Sequence, residues 1–216
     1  MNPLIFLDVD GVLNTLKWNT QAAKLHPDVQ ALLSNDDPRL TTDFSIDTWA
    51  HMVDPARVDH VQRIAELTGA DIVISSSWRL HHELDELREM LGEKGLAADV
   101  IGRTPTFSLA NTAAYYDNIR GLEIEQWLLQ NISLAGLVDQ RLIILDDEKD
   151  MGRLRSHLIQ TNWTGGGLLQ KHIAKAQRVM NTVPAGKKIA EQPNPAWRRD
   201  AAIKLYGEDY IVALEA

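Results

Sequence analysis

Three short runs of uninterrupted apolar residues punctuate an otherwise mixed chain: residues 4–7, 72–74 and 142–145. Each is too short for a helix and shows no polar alternation, so each reads as a strand buried on both faces. Between them the apolar period changes. Val58, Val61, Ile64, Ala65 and Leu67 recur at helical spacing, behind Asp54-Pro55 as N-cap and first helical position, and stop at Gly69. A second helix is predicted over residues 84–91, with Leu87 and Met90 on its apolar face and Gly92 closing it, followed by a short strand at Val100 and Ile101. Leu122, Ile124, Trp127, Leu128 and Leu129 predict a third helix after Arg120-Gly121, and Leu168, Leu169, Ile173, Ala176 and Val179 a fourth over about 167–179. Strands alternating with helices predict an α/β fold, a three-layer Rossmann-like arrangement with a mostly parallel central sheet.

Residues 14–54 break this rhythm. Trp18, Pro27, Pro38, Trp49 and the polar run Ser34-Asn35-Asp36-Asp37 read as loops with short elements, hence at most a small cap or loop insertion. The chain is long enough for one core, assigned to residues 1–182, with 183–216 as a C-terminal extension that ends in a short apolar segment from Tyr210 to Leu214.

Charge and composition then narrow the partners. A net charge of -8 argues against extended binding to duplex nucleic acid, which needs many Lys and Arg on one face. The absence of cysteine excludes a disulfide framework, a thiolate zinc site and a Cys nucleophile. The apolar run before Asp8 is only four residues long and has no basic residue ahead of it, unlike a signal peptide. No uninterrupted apolar stretch reaches the length of a membrane span, so no membrane partner and a cytoplasmic location are expected.

All three apolar strands end in polar groups: Asp8 and Asp10 after the first, Ser75-Ser76-Ser77-Trp78-Arg79 after the second, Asp146 and Asp147 after the third. In an open parallel sheet ligands bind outside the carboxyl ends of the strands, where these groups would meet. Asp8 and Asp10, two residues apart, face the same way if the extended geometry persists, and Gly11 lets the chain turn. Converging carboxylates repel one another unless a hard cation lies between them, and ligands that are all oxygen favour Mg²⁺.

The string Phe6-Leu7-Asp8-Val9-Asp10-Gly11-Val12-Leu13-Asn14 resembles the first motif of the haloacid dehalogenase (HAD) superfamily. That resemblance implies a magnesium-dependent phosphohydrolase in which Asp8 attacks phosphorus to give an aspartyl-phosphate, and Asp10 protonates the leaving group and later activates water. It also implies a phosphate-binding Ser after the next strand. Ser76 is the first choice, on a Thr/Ser-x-Trp pattern, with Ser75 as the alternative and Ser77 and Arg79 as neighbours in contact with substrate. Arg120 takes the place of the basic third motif, in a segment similar to a branch related to nucleic-acid repair phosphatases, with Lys149 as runner-up. Asp146 corresponds to the direct magnesium ligand, with Asp147 sharing or supporting the metal, Asp150 a weaker candidate and Asp10 adding its backbone carbonyl. The substrate implied is a phosphorylated small molecule or a nucleic-acid end.

Each element also has a plainer reading. Asp-x-Asp-Gly alone is a turn, Asp146-Asp147 a helix start, and the serines a helix cap. The adjacent histidines His81 and His82 diverge on a helix and make a poor metal site. Tryptophans usually pack, and Trp18 and Trp49, in the insertion, are the two worth considering as stacking platforms. A weakly catalytic binding protein and a phosphotransferase remain as alternatives on the same scaffold, since sequence does not separate hydrolysis from transfer.

Overall fold

The structure, a computed structural model, describes residues 2–34, 44–106, 120–182, 184, 186 and 189. Its centre is a five-stranded, all-parallel sheet: β1 (Leu4–Leu7), β2 (Asp71–Ile74), β3 (Val100–Arg103), β4 (Leu142–Asp146) and β5 (Leu158–Gln160). The order across the sheet is β3-β2-β1-β4-β5, so β1 lies between the two other strands that the apolar runs announced. Leu7 pairs with Ile74 on one side and with Leu145 on the other, which brings Asp8, Ser75 and Asp146 to one edge at one level. The ladders continue past the strand ends, with Ser75 N–H donating to Leu7 O (2.9 Å) and Asp8 N–H to Leu145 O (3.0 Å).

The helices are α1 (Leu16–Leu25), α2 (Pro27–Leu33), α3 (Ile46–Ala50), α4 (Pro55–Thr68), α5 (Leu84–Glu93), α6 (Arg120–Asn131), α7 (Leu134–Asp139) and α8 (Gln170–Thr182). As expected, Asp54 caps α4 by accepting from Ala56 N–H, Pro55 opens it, and Gly69 ends it in the left-handed region. Two apolar clusters cover the two faces of the sheet. Val58, Val61 and Ile64 of α4 and Ala176 of α8 pack with Ile5, Leu7, Ile72 and Ile143; Ile124 and Leu128 of α6 pack with Leu4, Phe6, Val73 and Ile144. Alternate residues of β1 thus feed opposite layers, as strand geometry requires.

Several boundaries differ from expectation. Gly92 lies inside α5, which runs on to Glu93, and the turn follows at Gly95, which has φ 103°. The last described helix starts at Gln170, because Gly165, Gly166 and Gly167 form a turn ahead of it. The described residues of 14–54 hold three helices where loops with short elements were expected, and Ala22, Val29, Leu32, Trp49 and Val53 join the same cluster as α4 and α8. The segment from Tyr210 to Leu214 and most of 183–216 lie outside the described residues, although Ile189 is buried in the second cluster. Among the described residues no helix is long and apolar enough to cross a membrane.

Candidate active site

The loop after β1 is wound tightly. The amides of Val12, Leu13 and Asn14 all donate to Val9 O, and Gly11 turns the chain with φ 70°. A side chain at Gly11 would also run into the carboxylate of Asp147, so the position demands glycine on two grounds. Asn14, fully buried, clamps the loop: its Oδ1 accepts from Gly11 N–H (3.1 Å) and its Nδ2 donates to Asp10 Oδ1 (2.7 Å). The other oxygen of Asp10 accepts from the indole N–H of Trp78 at 3.0 Å. Burial, then the charge of Asp8, pushes the Asp10 carboxyl up to about 6, against the opposing pull of these two hydrogen bonds.

Asp8 and Asp146 are buried side by side at the ends of their strands and share one cation. Arg120, itself 3% exposed at the start of α6, places Nη2 3.6 Å from Asp8 Oδ1 and Nε 3.2 Å from Asp146 Oδ2. Burial works against the charge of this guanidinium, but Asp8 and Asp146, helped by Glu123 and Asp10, outweigh it and hold its pKa above the ordinary value. Burial, and next Asp8, raise Asp146 well above the usual carboxylate range, and burial with Asp8 and Glu148 pushes Asp147 up to about 6.

Asp8, Asp146 and Asp147 each offer an oxygen within 4.8 Å of the others. Asp8 Oδ1 and Asp146 Oδ2 are buried with no hydrogen-bond donor, although both face Arg120. Three carboxylates with two orphaned oxygens suit a hard divalent ion such as Mg²⁺, whose charge would offset their repulsion. The Asp10 carboxylate stands outside this group, held instead by Asn14 and Trp78.

The cleft above the strand ends, of about 380 Å³, is lined by Asp8, Asp10, Ser77, Arg120, Asp147, Glu148 and Trp163. Of the three serines, Ser77 is the one that lines it. Ser76 is buried, and its Oγ accepts from Trp78 N–H (3.3 Å) as the cap of a 3-10 turn over Ser77–Leu80; the Oγ of Ser75 is buried without a partner. Arg79 does not line the cleft. Its guanidinium is buried beneath the turn, donating to Ser75 O, Ser76 O and Thr104 O and pairing with Glu123 at 2.6 Å. Lys149 and Asp150 are exposed beyond the acidic pair and do not line the cleft either. Trp18 and Trp49 are packing groups: the indole of Trp18 donates to His51 O, and Trp49 sets its edge against Trp78 with centroids 4.8 Å apart. His81 and His82 pack around Trp49, away from the acids.

The sequence reading gave no role to Asn14, Trp78, Glu148 or Trp163. Asn14 and Trp78 did stand inside the quoted motifs. Trp163, after the three-residue strand β5, carried no local signal.

Residues 4–173 match the model of a family described as the HAD domain in Swiss Army Knife RNA repair proteins. No curated protein and no solved structure matches the chain. The match covers all five strands and every residue of the cleft, so the chain belongs to the family of HAD domains in Swiss Army Knife RNA repair proteins.

Proposed function

We propose that the protein is a magnesium-dependent phosphomonoesterase that works through an aspartyl-phosphate on Asp8. One observation carries the reading. Two carboxylates two residues apart open on the same cleft in different settings, Asp8 against the Arg120 guanidinium and Asp10 poised near 6 by burial and by Asp8. A carboxylate set against a buried cation suits a nucleophile, and a neighbouring acid held by neutral donors suits a proton carrier. Membership of the HAD family supports phosphatase-type chemistry in general.

An oxygen of Asp8 attacks phosphorus while the bond from phosphorus to the leaving oxygen breaks, and that oxygen takes the proton of Asp10. Asp10, now a carboxylate, removes a proton from water. The hydroxide cleaves the aspartyl-phosphate at phosphorus, which frees inorganic phosphate and restores Asp8. Arg120 offsets charge on the phosphoryl group and the nucleophile together. Asp8, Asp146 and Asp147 would hold Mg²⁺, which when bound neutralises charge between nucleophile and phosphate. Asn14 and Trp78 fix the direction in which Asp10 delivers its proton.

The substrate proposed is a phosphate at a nucleic-acid or nucleotide end, a reading supported by the open cleft and by the family's description. Phosphate release from an aryl phosphate, with Mg²⁺ and with EDTA, tests the chemistry in wild type and Asp8→Asn. Turnover is expected in the wild type with Mg²⁺ alone, and equal turnover in both proteins ends the proposal. A panel of 3′- and 5′-phosphorylated oligonucleotides beside phosphorylated metabolites tests the substrate class.

A further inference from the structure

Trp163 stands apart from the other described tryptophans. Trp18 and Trp78 spend their N–H groups on His51 O and Asp10, Trp127 sets its edge on Phe6, and Trp49 packs on Trp78. Trp163 is half-buried, belongs to neither apolar cluster, and among the described residues has no ring partner and no hydrogen bond from its indole. It lines the cleft that holds Asp8, Asp10, Ser77 and Arg120.

The backbone beneath it is built to stay in place. Asn162 accepts from Gly165 N–H with its side chain (2.7 Å) and from Gly167 N–H with its carbonyl (3.0 Å). Gly166 and Gly167 take φ 96° and 67°, which other residues rarely adopt. Two bonds then tie the turn to the loop that carries the nucleophile: Leu16 N–H donates to Trp163 O (3.3 Å) and Leu168 N–H to Val12 O (2.9 Å). A side chain at Gly167 would press on Val12 O, so the two loops touch backbone to backbone. The backbone that carries Trp163 is therefore held against the nucleophile loop before any ligand arrives, which limits the entropy of ordering it on binding.

The other groups of the cleft select what the indole can receive. Arg120 is the cation that faces the phosphoryl position, whereas Glu148, outside the acidic cluster, lines the same space with negative charge and would repel a second anionic group. A neutral, flat ring suits that setting, and every nucleobase has a π-face to offer. About 380 Å³ is near the lower end for ligand pockets, enough for a phosphate and its adjoining nucleoside but not for a length of strand.

Resting on the phosphomonoesterase reading, we propose that Trp163 is a stacking platform for the nucleobase next to the scissile phosphate, making this a site for nucleoside phosphates, free or at a strand end. The test compares kcat/KM for pairs that differ only in the base: adenosine 5′-phosphate against ribose 5-phosphate, and 5′- and 3′-phosphorylated oligonucleotides with and without the terminal base. The mononucleotide and oligonucleotide arms tell a free nucleotide from a strand end. The wild type should prefer the member bearing a base, Trp163→Ala should reduce that ratio about ten- to a hundredfold, and Trp163→Phe should keep most of it. Equal losses on both members of each pair, leaving the ratio unchanged, would overturn the platform.

A second measurement does not depend on turnover. Adenosine 5′-phosphate is titrated into Asp8→Asn and Asp8→Asn/Trp163→Phe with tryptophan fluorescence as the signal, and quenching should be lost in the double variant. Quenching that depends on Trp163 without phosphate release from any substrate would sink the hydrolase and keep the platform. Phosphate release without base preference, and without such quenching, would do the reverse.

Discussion

Asn14 and Trp78 each hold one oxygen of Asp10, so losing either bond frees this carboxyl, the proposed proton carrier, to turn while Asp8 and its neighbours stay where they are. Trp78→Phe keeps a ring in the core and removes the N–H donor, along with part of the packing of this fully buried side chain. A hydrogen bond to a charged group is worth about 1.5–3 kcal/mol, so alkyl phosphates, which need a proton on the leaving oxygen, should slow by about ten- to a hundredfold. A nitrophenyl phosphate leaves without that proton but still needs water activated afterwards. Rapid mixing with this substrate should therefore show a burst of nitrophenolate as the aspartyl-phosphate accumulates. Equal slowing of both substrates with no burst would reduce Trp78 to a packing residue. The two acid pairs were legible in the sequence because each ends an apolar strand. The serines could not be ranked, because spacing does not fix where side chains point once the strand gives way to a turn. Arg79 looked like a ligand for substrate because its partner Glu123, which buries it, lies 44 positions away.

That ion pair joins two parts of the fold, the serine turn after β2 and the first turn of α6 that also carries Arg120. Both side chains are at least nine-tenths buried, and removing one partner leaves the other charge stranded. Glu123→Leu should cost about 3–5 kcal/mol in urea unfolding. Arg79→Met/Glu123→Leu should be less impaired, since no charge is left behind, although Ser75 O loses its donor and Ser76 O keeps only the backbone N–H of residue 79. A double variant as unstable as the single one would count against the pairing as the cause. The other elements were legible in proportion to their apolar stripe. α4 shows Val58, Val61, Ile64 and Ala65 on one side and was plain from spacing alone. α1 buries only Asn19 and Ala22, and α2 only Val29 and Leu32, too little to stand out from loop, while β5 is three residues long.

Taken together, the acids predict a stability that depends on pH and on a bound divalent ion. Asp10 and Asp147 are pushed up to about 6 and Asp146 is raised as well, so the folded chain binds protons that the unfolded chain has released. The metal-free protein should lose stability as pH rises from the ordinary carboxylate range through about 6, and level off once these carboxyls are ionised. Magnesium competes with those protons, so its effect should be larger at pH 7.5 than at pH 5. At a hundred times its Kd the ion should add about 2.7 kcal/mol, or roughly 5–10 °C in Tm, reversed by EDTA and lost in Asp146→Asn. Thermal unfolding at the two pH values checks this, and equal shifts at both would mean that the ion binds elsewhere. The parallel ladder has one more consequence. Leu4 pairs with Asp71 on one side and with Leu142 on the other, so Asp8 and the acids Asp146 and Asp147 are made far apart in time and meet only when the central strand has been enclosed from both flanks. Closing such long loops is slow. A half-folded chain thus has Asp8 but no cleft around it, and the acidic cluster exists only once the last long-range pairing has formed.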